Sequence, residues 1–229
     1  LISNQQANGS FKGGTGMYDH GIATVALCEV FGMTQDKAKL LGPTQKAVSF
    51  LQGAQGPNGS WGYSANTNGD TSIVGWDVQG LHSGELCKDL VVRKDVLKKA
   101  MAFLDTVSDS STRSRYGYAD RNSITPARTA IGLLCRYYCD GWGPQNPGMA
   151  EGVKYLLKTW TPTRDKFDMY YYYYATQVMH FYDGPEWHQQ WNPKMRDLLV
   201  DRQVPENKGP NSGSWDPDSG MVGSHCGRL

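Results

Sequence analysis

Three aspartates stand where a carboxyl group could act on a ligand. Asp19 precedes one segment of small and apolar residues, and Asp70 and Asp77 flank the start of another. Asp70 and Asp77 are seven residues apart, about two helical turns, so their side chains can share one face. Such carboxyls can donate a proton or stabilise a cation, and all three are candidate catalytic groups. The simpler interpretation, which we favour, makes Asp70 a helix N-cap and Asp77 a hydrogen-bonded group facing a cavity.

A second group of residues is suited to holding a ligand. Residues 170–174 are five consecutive tyrosines, which on a helix point around nearly the whole circumference. Such rings can stabilise a cation, but packing with the hydroxyls hydrogen-bonded at the edges is the interpretation that we favour. Trp76 and Arg128 can line a pocket, where Arg128 needs an acidic ligand or a carboxylate such as Asp120. The candidate ligand-binding residues are His20, Asp70, Trp76, Arg128, Tyr171, Tyr172 and His225.

Composition and charge narrow the class of protein. The 229 residues carry a formal net charge of +1, and 39% are hydrophobic. We expect one globular domain over residues 1–229, and no nucleic-acid partner, because positive charge is not concentrated anywhere. No run reaches the roughly 18 apolar residues of a transmembrane helix, so we expect no such segment and leave peripheral membrane contact open. The P-loop, Gly-x-Gly-x-x-Gly, Gly-x-Ser-x-Gly and His-Glu-x-x-His motifs are missing from the sequence.

The elements that must position these residues follow a repeat. Asn8-Gly9-Ser10-Phe11 is a polar turn that ends in an aromatic residue, and Asn58-Gly59-Ser60-Trp61 repeats it 50 residues later. Ser212-Gly213-Ser214-Trp215 repeats it near the end, and weaker forms stand at residues 115–118 and 167–170. Five loops at intervals of about 45–57 residues are typical of helical-pair repeats.

Two kinds of segment alternate between these loops. Small and apolar residues dominate segments 21–28, 73–81, 127–135 and 172–179, which is typical of helices packed on all sides. More charged, amphipathic segments follow at 34–51, 92–107, 147–160 and 191–204, with Thr34 as a candidate N-cap for the first. The alternation predicts an all-α fold, an α/α toroid of about five repeats with inner and outer helices. The repeat calls for another inner helix after Gly220, but only residues 220–229 follow the last loop. The toroid is therefore expected to be incomplete and the chain to be part of a longer protein.

The loop at residues 59–62 resembles a known motif. Gln52 with Gly59-Ser60-Trp61-Gly62 is similar to the Gln-Trp repeat of squalene–hopene and oxidosqualene cyclases, and to the related repeat of protein prenyltransferase β-subunits. Gly69-Asp70-Thr71-Ser72 and residues 211–215 look like the same family, and the resemblance extends from residue 8 to the end. It implies an α/α barrel whose inner helices surround a cavity, often lined with aromatic residues. In the family the motif is mainly structural, so it argues for a fold more than for a chemistry.

The resemblance also implies where chemistry would lie. Class II terpene cyclases protonate their substrate from an Asp-x-Asp-Asp segment, which this sequence lacks. Prenyltransferase β-subunits bind zinc through Asp, Cys and His near the starts of inner helices. Asp19-His20 and His225-Cys226 stand in similar places and offer ligands that suit zinc if the ring nearly closes. Because the Asp-x-Cys spacing of the family is missing, we predict no metal site and no cofactor.

Two functions fit these observations. We favour a repeat domain without a catalytic site that binds an apolar, isoprenoid-like molecule or a partner chain. The alternative is an isoprenoid cyclase or prenyltransferase-type enzyme that uses carboxylates at the starts of the inner helices. Two carboxylates converging with aromatic rings at the centre would favour the enzyme, and a centre filled by side chains would count against it.

Overall fold

The computed structural model describes residues 1–11, 16–109 and 111–216. Eight α-helices form the described structure: α1 (Met17–Thr34), α2 (Gly42–Gly53), α3 (Thr71–Glu85), α4 (Lys94–Val107), α5 (Pro126–Asp140), α6 (Pro147–Thr159), α7 (Met169–Tyr182) and α8 (Asn192–Arg202). Within these ranges, β-type pairing is limited to isolated bridges in the loops. The all-α class predicted from the sequence is therefore confirmed. No helix in the described ranges is long and apolar enough to cross a membrane.

Four helices pack in series to form an inner layer. Helix α1 packs on α3, α3 packs on α5, and α5 packs on α7. These are the segments of small and apolar residues, whose low charge allows burial on several sides. A continuous apolar core extends from Met17 in α1 to Leu198 in α8.

The amphipathic helices form an outer layer. Helix α2 contacts α1 and α3, α4 contacts α3 and α5, and α6 contacts α5 and α7. A π-helical turn at Glu186–Trp191 packs on α6, α7 and α8. The predicted alternation is thus present in four helix pairs. Extended contact between α1 and α7 is absent from the described part of the chain, so the toroid, which the sequence predicts to be incomplete, stays a prediction.

The first outer helix begins later than the sequence suggested. Thr34 ends α1, and Gln35 then adopts a left-handed conformation with φ of 54°. A π-helical turn at Lys37–Leu41 intervenes, and α2 begins at Gly42 with Pro43 in its first turn. Proline is tolerated only in the first turn of a helix because it lacks an N–H group. The prediction of Thr34 as an N-cap is therefore wrong.

The repeated loop ties neighbouring outer helices together. The Gln55 side chain donates to the Gly59 carbonyl and to the Val96 carbonyl of α4, both at 2.9 Å. The Trp61 indole N–H donates to the Leu51 carbonyl of α2, also at 2.9 Å. Gly59 has φ of 89°, which strongly favours glycine. We call this arrangement the clasp, because it joins the end of α2 to the start of α4.

The bond from a glutamine side chain to the loop glycine recurs at two other copies of the motif. Gln5 donates to the Gly9 carbonyl at 3.3 Å and to the Pro43 carbonyl of α2 at 2.9 Å. Gln203 donates to the Gly213 carbonyl, and the Trp215 indole donates to the Leu199 carbonyl, each at 2.8 Å. The repeat recognised in the sequence is therefore also a repeat of hydrogen bonds.

Gln52 is the glutamine that the sequence analysis assigns to the motif, but in the structure it has another role. It is buried in α2, and its side chain hydrogen-bonds the backbone of Val91 and Arg93. The clasp instead uses Gln55, which follows the end of α2 at Gly53. A side chain beyond the helix end can turn towards the loop, whereas a residue in the last turn is held on the helix surface.

Candidate functional site

Aromatic rings from three inner helices meet at the N-terminal halves of those helices. The Trp76 ring of α3 stacks on Tyr173 of α7 at 5.0 Å between centroids and contacts Tyr174 edge-on at 5.4 Å. Tyr18 of α1 approaches the same indole edge-on at 6.3 Å. Tyr170 lies against Tyr174 at 5.3 Å. We call these five residues the aromatic cluster. It bridges α3 and α7 although α5 lies between them in the layer.

The aromatic cluster is packed but reaches the surface. Tyr174 is buried, Tyr18, Trp76 and Tyr170 are half-buried, and Tyr173 is 38% exposed. Gln79, one turn after Trp76, donates to the Tyr173 hydroxyl at 2.7 Å and so holds that ring over the indole. Side chains therefore fill this part of the centre and present one aromatic ring to the outside.

Three polar atoms of the aromatic cluster lack hydrogen-bond partners among the described residues. They are the Trp76 Nε1 atom and the hydroxyl oxygens of Tyr170 and Tyr174, and all are buried. Burial is the main reason that the pKa values of both tyrosines are raised. Tyr18 and Tyr174 lie close enough to Tyr170 to influence its pKa as well. A buried polar atom without a partner lowers the stability of the fold unless another molecule completes its hydrogen bonding.

Asp70 lies next to the aromatic cluster and serves as a helix cap. It is 3% exposed, and its Oδ1 atom accepts the Ser72 backbone N–H at 2.8 Å, which confirms the predicted N-cap of α3. Burial first, and then this carboxylate, raise the pKa of the neighbouring Tyr118. The Asp70 carboxylate is thus engaged at the helix start and contributes negative charge beside the tyrosines.

Arg128 is engaged without a carboxylate. Its guanidinium lies 4.8 Å from the centroid of the Tyr118 ring and donates to the Ser123 carbonyl at 2.5 Å. The suggested partner Asp120 instead accepts a hydrogen bond from the Asn122 backbone. The proposed pairing with Asp120 is therefore wrong, because an aromatic face and a carbonyl satisfy this half-buried cation.

Asp77 differs most from its predicted environment. Its side chain is fully buried, and neither carboxyl oxygen has a hydrogen-bond partner in the described structure. The carboxyl lies against Gly21 of α1, so closely that a β-carbon there would collide with it. Burial raises the pKa of Asp77 well above its usual value. The expectation of a hydrogen-bonded group facing a cavity is wrong: Asp77 is a buried carboxyl without a described hydrogen-bond partner in the contact between α1 and α3.

Asp19 and His20 lie on a separate groove of about 300 Å³. The His20 ring is 4% exposed and packs between Phe11 and Phe50 at centroid distances of 5.1 and 4.8 Å. Its Nε2 atom is 3.0 Å from the Ala47 carbonyl, which can only accept, so this nitrogen carries the hydrogen. Burial lowers the pKa of His20 and favours the neutral ring. His20 therefore acts as a packing residue between α1 and α2.

The tyrosine run divides between two sides of α7. Tyr171 donates to the Trp160 carbonyl at 2.8 Å and Tyr172 to the Lys166 carbonyl at 2.5 Å, and both rings pack on Trp191. For these two tyrosines the packing interpretation is confirmed. They lie away from the aromatic cluster, so we do not include them in the site.

Sequence reasoning missed four members of the aromatic cluster, Tyr18, Tyr170, Tyr173 and Tyr174. The spacing of 170, 173 and 174 matches one face of a helix, which was a usable signal. Five identical residues gave no indication of which face turns inward. Tyr18 stands two residues before His20 and offered no pattern of its own.

A larger groove of about 410 Å³ lies between α3, α4 and α5 and is lined mainly by charged residues. Arg136 is buried there and bonds Asp140 at 2.8 Å, Asp105, and the Tyr116 hydroxyl at 3.1 Å. Lys94 pairs with Glu85 across the same groove. Because these charges are largely matched within the protein, the groove offers little to an ionic ligand.

Two of the suggested zinc ligands, Asp19 and His20, lie within the described residues. In the ranges that the structure covers, no group of three or more His, Cys, Asp and Glu side chains is placed to hold a metal. His225 and Cys226 lie outside those ranges, so their pairing with Asp19 and His20 stays a prediction. The role of His225 as a candidate ligand-binding residue also stays a prediction.

The three candidate carboxyls occupy different environments: Asp19 lines a groove, Asp70 caps a helix, and Asp77 is buried between helices. The aromatic cluster, with Asp70 near it, brings together ligand-type groups from three inner helices. No protein-family model matches this sequence, and no curated protein or solved structure matches it significantly.

Proposed function

We propose that this chain is a squalene-cyclase/prenyltransferase-like repeat domain that binds an apolar ligand at the aromatic cluster. The observation that carries the proposal is the stacked pair of Trp76 and Tyr173, half-open to the outside, where rings from α1, α3 and α7 meet. Aromatic faces bury large apolar areas at small entropic cost, which makes such a pair a suitable platform for a hydrocarbon chain.

The environments of the candidate carboxyl groups fit a binding domain better than they fit an enzyme. An acid catalyst needs a carboxyl that can reach the reacting atom. Asp70 is engaged in capping α3, and Asp77 is enclosed by α1. Asp19 lies on the separate groove beside His20, away from the aromatic cluster. The described carboxyls therefore do not converge with the aromatic rings, which is what the cyclase or transferase would need.

The apolar chain of the ligand also has a surface to follow. Ile22 lies one turn after Tyr18 on α1 and is 38% exposed. Residues four apart lie on the same side of a helix, so Ile22 extends the aromatic surface along α1. We propose that the chain of an isoprenoid-like molecule lies along this side, with its end at Trp76.

Fluorescence and calorimetry test the proposal with farnesol as the probe. We expect a saturable change in tryptophan emission, lost in Trp76→Phe but kept in Trp187→Phe, which alters another half-buried tryptophan. Tyr173→Ala should weaken binding by about tenfold, as expected for one aromatic platform, whereas Tyr182→Ala at the far end of α7 should not. Farnesol that does not saturate, or binds Tyr173→Ala as tightly as the wild type, would refute this function.

A further inference from the structure

We infer that the ligand of the aromatic cluster is a neutral molecule, mainly apolar, that carries a hydroxyl or carbonyl oxygen bound by Trp76 and Tyr174. This inference rests on the proposed function and adds the chemistry of the ligand. It distinguishes an oxygenated molecule from a pure hydrocarbon and from an anionic ester.

The first argument is the unfilled hydrogen bonding. Trp76 Nε1 can only donate, and it is buried without an acceptor among the described residues. The Tyr174 hydroxyl is likewise buried and unpartnered, on a ring 5.4 Å from the indole. A hydroxyl or carbonyl oxygen has two lone pairs and can accept from both groups. A hydrocarbon leaves both unpaired and gains nothing from their position.

The second argument is the local shape. The Tyr174 hydroxyl is directed at α3, where a β-carbon on Gly75 would lie 3.1 Å from it. Gly75 has no side chain, so this hydroxyl can approach the backbone of α3 one residue before Trp76. Tyr170, against Tyr174, places a third unpartnered hydroxyl nearby. The unpartnered polar atoms of α3 and α7 therefore belong to rings that contact one another.

The third argument is charge. Asp70 influences the pKa values of Tyr118 and Tyr170, and Glu29 influences that of Tyr173, so the nearby charges are negative. Among the described residues Arg128 is a cation on this side, and Tyr118 and the Ser123 carbonyl already engage it. A diphosphate or carboxylate would therefore meet repulsion that this cation does not offset. A neutral oxygen avoids that cost.

The ligand enters past Tyr173, the most exposed ring of the aromatic cluster. This ring covers Trp76 and is held by a single side-chain hydrogen bond from Gln79. Turning the ring aside exposes the indole without disturbing the helix backbone. The oxygen then reaches the edge of the indole, and the hydrocarbon chain lies between Trp76 and the displaced Tyr173 ring, which still contacts it.

The test compares farnesol, farnesene and farnesyl diphosphate by calorimetry on the whole chain. Farnesol should bind about tenfold more tightly than farnesene, as expected for a pair of hydrogen bonds to buried groups. Tyr174→Phe should reduce that ratio to about threefold by lowering farnesol affinity alone. Tyr172→Phe is the matched control, because its hydroxyl bonds the Lys166 carbonyl away from the site.

Each outcome of this comparison has one meaning. If none of the three probes binds, the proposed function itself fails. If farnesene binds as well as farnesol, or the diphosphate binds most tightly, the function stands and the oxygen inference is overturned. Trp76→Phe removes the other donor and should lower the ratio by a similar factor, which keeps the test decisive should Tyr174→Phe fail to fold.

Discussion

Asp77 shows how a single residue can work against the stability of the fold. A buried carboxyl without a partner is held neutral, and in this structure burial alone raises its pKa. The ordinary value of 3.8 applies once the chain unfolds. The Asp77 carboxyl ionises at a lower pH in the unfolded chain than in the folded protein. Its contribution to the unfolding free energy is therefore present below about pH 4 and is lost as the pH rises towards the pKa of the folded state.

Asp77→Asn should therefore remove a pH-dependent loss of stability. We expect the variant to exceed the wild type by roughly 1–3 kcal/mol at pH 7, with the difference shrinking towards pH 4. Urea unfolding of both proteins between pH 4 and pH 8 measures this difference. The other titratable groups are the same in both proteins. A difference in unfolding free energy that does not change with pH would therefore show that Asp77 has an ordinary pKa.

Single residues were predictable from the sequence only where their role is local. The N-cap at Asp70 depends on the residues that follow it, and the sequence predicted it correctly. The environment of Asp77 depends on α1, whose Gly21 lies 56 positions earlier in the chain. The inward tyrosines depend on the rotation of α7, which its packing on α5 decides.

At the scale of elements, the clasp joins one outer helix to the next. The glutamine bond of the clasp recurs at Gln5, Gln55 and Gln203, so the loop of Gly, Ser and an aromatic residue is held by hydrogen bonds as well as by packing. The sequence predicted where these loops lie. It misassigned the glutamine, because Gln52 and Gln55 stand three residues apart and only the end of α2 distinguishes them.

Gly59→Ala tests the clasp directly. Gly59 has φ of 89°, and an added β-carbon would collide with the Lys99 carbonyl of α4. We expect a loss of about 2 kcal/mol or more in unfolding free energy. Gly53→Ala is the matched control, since nothing lies within 4 Å of its β-carbon position, and it should be neutral or slightly stabilising. Equal stability of the two variants would argue against a strained clasp.

Gln55→Ala tests the hydrogen bonds of the same element. The change removes two bonds to backbone carbonyls, so we expect a loss of about 1–3 kcal/mol measured by urea unfolding. Gln189→Ala, at an exposed position in the π-helical turn, should change stability by less than about 0.5 kcal/mol. A Gln55→Ala protein as stable as this control would contradict the account of the clasp.

At the scale of the molecule, the helix pairs form a series in which most contacts join neighbours. Helices α3 and α5 have inner helices on both sides, whereas α8 is held mainly through the π-helical turn. Amide hydrogen exchange should therefore be slowest in α3 and α5 and fastest in α8. Mass-spectrometric exchange measures this order, and protection of α8 equal to that of α3 would contradict it.

The sequence predicted the alternation of helices but could not decide ring closure. Alternation follows from composition and period within each segment, which are local properties. Closure requires contact between α1 and the last inner helix of the ring, and the composition of the segments gives no information on that contact. Tyr18 and Tyr173 approach the same Trp76 from α1 and α7, so side chains bridge part of the distance between the two helices.

The central claim is that the aromatic cluster binds an oxygenated apolar molecule. A crystal structure of the protein grown with farnesol tests this most directly. We expect electron density for the ligand against Trp76, its oxygen within hydrogen-bond distance of Trp76 Nε1 and Tyr174 Oη, and the Tyr173 ring turned aside. Farnesol found only in the groove lined by Phe11 and Tyr63, with Tyr173 still stacked on Trp76, would contradict the claim.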